Sequence, residues 1–460
     1  MAARSLALGG SLALLTAAVV LAPAPAGLTP EGQRVLAVVV LAIALWGTDA
    51  LPPGLTGVVV IVALVGLGAV PSLRDALTGF AEPIVFFLIG VLTMGMAVAR
   101  SGLAERIARV FLRHARGRPG LLYWQMLLLF PLLTLLLPSA TTRSGILVHA
   151  YDHALAQSQV PRGAPLARAI MLALNSTNRL ASTMLLTGGI TPVVAAGLIG
   201  GLSWSRWFVL MSVPYLALLA VGAVLIYARH AHGFPDRLPE PERGPRTPLT
   251  AVELRALSIT LGAAALWLTD ALHHWHPAIP ALLAWACLLA PGLGALSWRD
   301  FERDMSWASV FVIASSLSLA QALITTGAGG WLAGLLVRAT PDLGHGPTSV
   351  AVALLVAAAA VRLLVPNITG FLATTIPVAM AVGAATGISP VVCGLVVTIA
   401  GDAVLYYPAQ SASSLVVYER GHLTAPEILG FGVVMTLAAA LVVLGVALPY
   451  WALVGEPIGR

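Results

Sequence analysis

Pro138-Ser139-Ala140-Thr141-Thr142-Arg143-Ser144-Gly145 interrupts a Leu-rich stretch that would otherwise read as continuous membrane helix, and Pro366-Asn367-Ile368-Thr369-Gly370 does the same later in the chain. Hydrocarbon offers no partner to a free N–H or C=O. Helix breakers, hydroxyls and a cation at membrane depth therefore persist only where the backbone is buried in protein or lines a wet cavity. Each knot is a candidate binding site, and the rest of the chain is read outward from the pair.

The surroundings set the class. Of 460 residues, 58% are apolar and 10% charged, far more hydrophobic length than a soluble core needs, so the expectation is an all-α polytopic membrane protein. The net charge of +6 does not point to nucleic acid: its 25 basic residues are all Arg, lying mostly in short loops between apolar blocks, where they orient the chain in the bilayer. Cys287 and Cys393 form no disulfide or metal motif.

In chain order, the apolar block Leu6 to Leu21 is followed by Ala22-Pro23-Ala24-Pro25-Ala26, which resembles a signal-peptide cleavage site but is read as the end of a retained span. Apolar blocks follow at 35–49, 54–71 and 83–99. Arg100 to Arg118 carries six Arg against one Glu, with Leu103, Ile107 and Phe111 at helical spacing, which predicts an amphipathic helix on the cytoplasmic surface. Leu121–Leu137 and Ile146–Leu155 flank the first knot, either as a re-entrant hairpin with the knot at its tip or as two ordinary spans; both return the chain to the same side. Apolar sequence resumes at 166–202, interrupted by Asn175-Ser176-Thr177-Asn178-Arg179 and by Thr187-Gly188-Gly189-Ile190-Thr191-Pro192, and then at 207–227. A Pro-rich linker (229–252) leads to blocks at 256–272, 278–294, 307–325 and 347–365, the second knot, then 371–383, 389–405 and 425–453.

The chain repeats itself. Ala44-Leu45-Trp46-Gly47-Thr48-Asp49-Ala50-Leu51 recurs as Ala265-Leu266-Trp267-Leu268-Thr269-Asp270-Ala271-Leu272, Ser72-Leu73-Arg74-Asp75 as Ser297-Trp298-Arg299-Asp300, Ser101-Gly102 as Thr326-Gly327, and Pro138-Ser139 as Pro366-Asn367, at offsets drifting from 221 to 228 residues. These matches divide the chain into units at 1–228 and 253–460, with hairpins at about 119–157 and 347–383. The loop after Ser101-Gly102 is Arg-rich, whereas its counterpart, Gly327 to Ser349, holds only Arg338, so the positive-inside rule puts the two on opposite sides. Eleven spans plus two re-entrant hairpins, with the N-terminus cytoplasmic and the C-terminus outside, place Arg34, Arg74, Arg206, Arg338 and Arg460 outside, Arg143, Arg179 and Arg362 at membrane depth, and the other Arg inside. Inverted repeats whose broken helices meet near the midplane are the plan of secondary transporters.

Trp46-Gly47-Thr48-Asp49-Ala50-Leu51-Pro52, Gly79-Phe80-Ala81-Glu82-Pro83, Ser101-Gly102-Leu103, the two knots, and Leu405-Tyr406-Tyr407-Pro408 through Val417-Tyr418-Glu419-Arg420-Gly421 resemble the divalent anion/sodium symporter family along nearly the whole chain. The resemblance implies a homodimer of eleven-span protomers in a bacterial inner membrane. Each protomer would have a scaffold and a transport domain that moves as an elevator, with two Ser-Asn-Thr tips holding sodium and the carboxylates of a small anionic substrate. This chain departs from that pattern. Its first tip reads Ser139-Ala140-Thr141, its second Pro366-Asn367-Ile368 or Asn367-Ile368-Thr369, and the family's Thr-Pro-Pro-Asn breaks map onto Thr187-Gly188-Gly189-Ile190 and Ser411-Ala412-Ser413-Ser414.

A dehydrated anion needs fixed donors, and sodium needs backbone or side-chain oxygens; hydroxyls beside broken helix ends supply both. Thr141, Thr142, Arg143, Arg179, Asn367, Thr369, Ser411 and Ser413 are accordingly expected to bind substrate, and Ser139, Ala140, Thr187, Gly188, Asn367 and Ile368 the coupling ion. Arg143 and Arg179 suit a carboxylate or sulfate through bidentate contacts; the alternative for either is a buried pair with Asp402 or with backbone carbonyls, or snorkelling to the interface. Arg143 also stands where it could replace a sodium ion, and Asp402 could carry a coupling proton instead. No organic cofactor, metal beyond sodium or nucleic-acid partner is expected. Asp49 and Asp270 read as caps, His273, His274 and His276 as a solvated external turn, and Trp204 and Trp207 as membrane-interface anchors. Sodium-coupled symport of di- or tricarboxylates or sulfate-like anions is the leading expectation, ahead of an arsenite/oxyanion permease or a cation/proton antiporter. A membrane-embedded enzyme is disfavoured: the sequence shows no His-Glu-x-x-His, Asp-rich motif or catalytic dyad at membrane depth.

Overall fold

A computed structural model describes residues 16, 18–48, 50–137, 139–239, 248–339, 346–365 and 367–459. Most of the expected first span, Asp49, the knot prolines Pro138 and Pro366, part of the linker, and Arg460 lie outside the described residues. The secondary structure is all helical, with an isolated bridge between Ile388 and Gly459 and no strand among the described residues.

Helices α1 (Pro30–Thr48), α2 (Pro53–Gly66) and α3 (Pro83–Ser101) lead through the basic α4 (Leu103–His114) to a helical hairpin, α5 (Pro119–Leu136) and α6 (Ala140–Gln157). An interrupted helix follows: α7 (Pro165–Leu172), a π turn at Ala173–Thr177, α8 (Asn178–Thr183), a break, and α9 (Ile190–Ile199). α10 (Trp204–His230) completes the first half. The second half has the same order: α11 (Ala251–Leu268), α12 (Ala278–Leu289), α13 (Trp298–Asp304), α14 (Trp307–Thr325), α15 (Ala328–Ala339), a hairpin of α16 (Pro347–Leu364) and α17 (Ile368–Thr386), an interrupted helix of α18 (Pro390–Asp402) and α19 (Ala412–Tyr418), and α20 (Ala425–Val442). The local chemistry explains the boundaries. Proline opens α2, α3, α5, α7, α16 and α18, where its missing N–H is no loss, and Gly102 ends α3 with φ 79°.

Nine of the described helices are long and apolar enough to cross a bilayer. Every span expected after the first is present as a helix or an interrupted pair. Two of them are short: α2 and α12, with 14 and 12 residues, reach only about 21 and 18 Å at 1.5 Å per residue.

The halves pack reciprocally. α2 lies along α14, and its counterpart α12 lies along α3, the counterpart of α14. Small residues let these backbones meet: a Cβ on Gly57 would sit 2.6 Å from Ser315 Oγ, and one on Gly90 would sit 2.4 Å from the Ala281 carbonyl oxygen. In the same exchange, α9 packs on the hairpin of the second half and α19 on that of the first. Ion pairs then join the segments that the Arg distribution assigns to one side. Arg106 of α4 forks onto Glu253 of α11 (2.7 and 3.0 Å), and Arg100 pairs with Asp300 and, at 2.7 Å, with Asp304 of α13. The Ser297 hydroxyl and N–H, with Arg100 beside them, hold the Asp300 carboxyl down to about 2.

Three sequence expectations change. Trp204 and Trp207 are buried rather than interfacial, because their indoles serve the break after α8: Trp207 Nε1 donates to the Thr183 carbonyl at 3.0 Å, and Trp204 stacks on Trp267. Asp270 does not cap its own span; it accepts from the Ser205 N–H (3.0 Å) and hydroxyl (2.5 Å), capping α10 of the other half. The knots are also shorter than they read, since α6 starts at Ala140 and α17 at Ile368, leaving Leu137 and Ser139 at the first and Val365 and Asn367 at the second outside helix among the described residues. Of the loop histidines, His274 and His276 are exposed and His273 half-buried, and His273 and His276 accept from the N–H groups of Trp275 and Ala278.

The close approaches are testable. Gly90→Val should destabilise the purified protein by about 1–3 kcal/mol through overpacking against Ala281. Gly262→Ala, at a helical position where an added Cβ meets nothing within 4 Å, should be neutral or stabilising by up to about 1 kcal/mol. Thermal unfolding in detergent, monitored by intrinsic fluorescence, measures both.

Candidate functional site

Each hairpin tip is built the same way: a helix ends, the chain is extended at Leu137 and Ser139 or at Val365 and Asn367, and a capped helix begins. At the first tip Ser139 Oγ accepts from the Thr142 N–H at 3.2 Å and from the Thr142 hydroxyl at 3.0 Å. At the second, Asn367 Oδ1 accepts from the N–H groups of Thr369 (2.9 Å) and Gly370 (3.2 Å). These are N-caps, and they aim the positive ends of α6 and α17 at the space beyond them.

The helix ends entering the tips need donors for their last carbonyls, and each receives a buried guanidinium. Arg143 is fully buried and makes five hydrogen bonds: to the carbonyls of Leu137 (2.6 Å), Gly188 (3.3 Å) and Asn178 (3.3 Å), to Asn178 Oδ1 (3.2 Å) and to Ser182 Oγ. It thereby fastens the first tip to the break between α8 and α9. Arg362, also fully buried, donates to the carbonyls of Val365 (2.7 Å) and Gly401 (3.0 Å), fastening the second tip to the end of α18. The following break is held by Gln410, which accepts from the Tyr406 N–H (2.6 Å) and donates to the Arg362 carbonyl (3.0 Å). In the first break only glycine fits at 188, where a Cβ would lie 1.9 Å from the Ser182 carbonyl oxygen.

Both tips and both breaks open onto one cavity of about 470 Å³. Ser139, Ala140 and Thr141 line it from the first tip and Asn367, Ile368 and Thr369 from the second, with Gly189–Pro192 and Ala409–Ser413 from the breaks. The opposite wall comes from Trp46 of α1, Pro53 of α2 and Ala308, Ser309 and Val312 of α14. Trp46 is seated against the second tip, its ring 3.0 Å from where a Cβ on Gly370 would be. The charged lining residues are Arg179 and Asp402, which pair at 3.2 Å. Asp402 also accepts from Thr183 Oγ1 (2.6 Å) and Thr191 Oγ1 (3.2 Å), joining α8, α9 and α18, and Ser414 Oγ donates to Asn175 Oδ1 at 2.5 Å across the same junction.

The structure thus brings together Ser139, Ala140, Thr141, Arg179, Asn367, Ile368, Thr369, Ser411 and Ser413 of the expected site. Thr142, Arg143, Thr187 and Gly188 do not line the cavity. The Thr142 hydroxyl closes the cap, Thr187 accepts from Trp204 Nε1 at 3.4 Å, and the Gly188 carbonyl is taken by Arg143. The donors of Arg143 are directed at protein oxygens, which tie the tip to the break, and not at the cavity. Sequence reading missed the matching role of Arg362 and the part played by Gln410. A buried Arg a few residues before the second knot was the available signal.

Comparisons with known proteins place these features in a family. The family model described as the sodium:sulfate symporter transmembrane region matches residues 7–456. The L-tartrate/succinate antiporter of Escherichia coli is 24% identical over 390 residues, 80% of this chain and 78% of its own length. A membrane protein of Cupriavidus necator is 24% identical over 386 residues, 78% of this chain and 75% of its own length. Among solved structures, the YdaH transporter of Alcanivorax borkumensis shares the fold, with a TM-score of 0.58, 16% identity and coverage of 84% of this chain and 88% of that one.

The Arg179–Asp402 pair can be tested without a substrate. Asp402→Asn leaves a buried guanidinium without its counter-charge and should cost about 3–5 kcal/mol. The double variant Arg179→Gln/Asp402→Asn should cost less than the sum of its singles, as a double-mutant cycle on thermal unfolding would show.

Proposed function

The chain belongs to the sodium:sulfate symporter family, and on that premise we propose that it is a secondary carrier of small dianions, dicarboxylates foremost, working by alternating access. The observation that carries this reading is the convergence of both hairpin tips and both helix breaks on one cavity. α6, α9 and α17 all begin at its wall, so their N-terminal dipoles and free N–H groups favour an anion there. Thr141, Thr369, Ser411 and Ser413 add hydroxyl donors, and the Asn367 amide NH2 can donate while its oxygen holds the cap. Donors contributed by both tips and by the second break suit a ligand with more than one acceptor group, and the name of the Escherichia coli relative supports a dicarboxylate.

For the motion, the two hairpins and the two interrupted helices form the moving body, held together by Arg143, Arg362, Arg179–Asp402 and Asn175–Ser414. α1, α2, α14 and the reciprocal α3, α11 and α12 form the scaffold. Trp46 and the small residues of α14 are the surface past which the tips slide. In the bilayer the halves lie as inverted copies, the tips re-enter from opposite sides, and a homodimer braces the scaffold. Sodium coupling is what the family resemblance implies, while exchange is the mode named for the Escherichia coli relative.

Counterflow in proteoliposomes tests the reading. Vesicles loaded with unlabelled succinate should accumulate labelled external succinate or tartrate, with sulfate and arsenite as competing arms; failure of every anion would refute it. A hydrogen bond to a charged group contributes about 1.5–3 kcal/mol. Asn367→Ala or Ser413→Ala should therefore raise the half-saturating substrate concentration roughly 10- to 100-fold.

A further inference from the structure

Apart from the central cavity, the first half holds a second one of about 580 Å³, between α4, the turn at Gly117, the C-terminal turns of α6 and the start of the linker at Leu238 and Pro239. We propose that it is a phospholipid site: it takes the phosphate headgroup of an anionic lipid from the adjacent leaflet, and the bound lipid staples α4 to the first hairpin. The assignment does not depend on what the protein carries.

Charge is the first argument. Arg109 and Arg113 line the cavity from α4, and His153 lines it from α6. Residues four apart on a helix share a face, so the two guanidinium groups stand together and repel each other. Elsewhere in the same region arginines meet carboxylates: Arg100 pairs with Asp304, Arg106 with Glu253 and Arg168 with Glu427. Among the described residues the side chains of Arg109 and Arg113 make no hydrogen bond or ion pair, and the nearby Glu105 and Asp236 form no ion pair either. Asp152, beside His153, is engaged by His422 at 2.8 Å. Two adjacent guanidinium groups with no counter-charge suit a phosphate, whose oxygens accept from several donors at once.

The rest of the lining selects a lipid over a free phosphate. Leu112, Leu122, Ala150, Ala154 and Leu238 give the cavity an apolar side, which a glycerol ester covers and inorganic phosphate leaves bare. Its depth agrees. Trp124, exposed on α5, meets Tyr227 of α10 with ring centroids 5.2 Å apart, and Tyr227 meets Phe234 at 5.8 Å; such rings collect at headgroup level. Leu122 precedes this cluster on α5 and Leu238 follows it in the linker, where the buried Leu238 donates its N–H to the Gly117 carbonyl at 2.7 Å. Along α5, Leu121, Leu128, Leu132 and Leu135 form an exposed stripe at helical spacing, a surface for acyl chains. Basic pockets between helices on the Arg-rich side of a membrane protein are suited to anionic headgroups. A lipid held there bridges α4 and α6, and so stabilises their packing.

The test uses the purified full-length protein in phosphatidylcholine nanodiscs, with and without phosphatidylglycerol. Phosphatidylglycerol should raise the wild-type thermal midpoint by about 2 °C or more. Arg109→Gln/Arg113→Gln should lose most of that rise while keeping the wild-type midpoint in neutral lipid. Arg255→Gln/Arg299→Gln, which removes exposed arginines that do not line the cavity, should keep it. Equal loss in both double variants would overturn the proposal in favour of diffuse surface electrostatics, and an equal rise with soluble glycerol phosphate in neutral lipid would overturn the assignment to a lipid. A further measurement needs no variant: native mass spectrometry from neutral detergent should find phosphatidylglycerol retained on the wild-type protomer, and a protein that emerges without it would overturn the site. None of these readouts involves transport, so their failure leaves the carrier reading standing.

Discussion

A helix that stops inside an apolar surrounding leaves carbonyl oxygens with nothing to accept, and the structure is organised around supplying them with donors. Four breaks point inward, two at the hairpin tips and two in the interrupted helices. Their carbonyls are met by Arg143 and Arg362, by the indole of Trp207 and by the amide of Gln410. Because each donor reaches across to a different helix, satisfying the backbone also ties the tips to the breaks. The positive helix ends are the reverse side of the same arrangement: once the carbonyls are covered, the N–H ends remain directed at the cavity.

The pairs α2–α14 and α12–α3 follow a different rule. α2 and α14, and again α12 and α3, approach until glycine is the only residue that fits at Gly57 and Gly90. Packing of this kind gains from close van der Waals contact, since lipid gives little hydrophobic drive for helices to associate. A polar, cross-linked body thus faces a wall made of Trp46, Ala308, Ser309 and Val312. That wall makes few directional bonds with the tips, which suits a sliding surface.

The sequence showed the class, the duplication and the two knots plainly, because apolar length and a repeated motif survive without any structure. It also identified the part of the cavity lining that the two tips and the second break contribute, since Ser, Thr and Asn beside Pro and Gly at membrane depth mark an interrupted helix. What it could not show was direction. Thr142 and Thr141 are neighbours of one type, yet one hydroxyl closes a cap and the other faces the cavity. Arg143 and Arg179 were equally plausible ligands until the hydrogen bonds showed one enclosed by carbonyls and the other at the wall. Trp204 and Trp207 followed the usual habit of aromatic residues near span ends, and that habit was overridden by a broken helix needing a donor three-dimensionally near but distant in sequence.

The shortness of α2 and α12 has a consequence for the lipid. At about 21 and 18 Å they fall well below a hydrocarbon layer of about 30 Å, and they lie in reciprocal positions against α14 and α3. Acyl chains beside them must compress or splay to meet the helix ends, at a cost of fractions of a kcal/mol per Å of mismatch. If the tips move as proposed, the dimpled leaflet would leave a thinner oily barrier beside them, and a small stroke would suffice to bring a polar cargo from one aqueous compartment to the other.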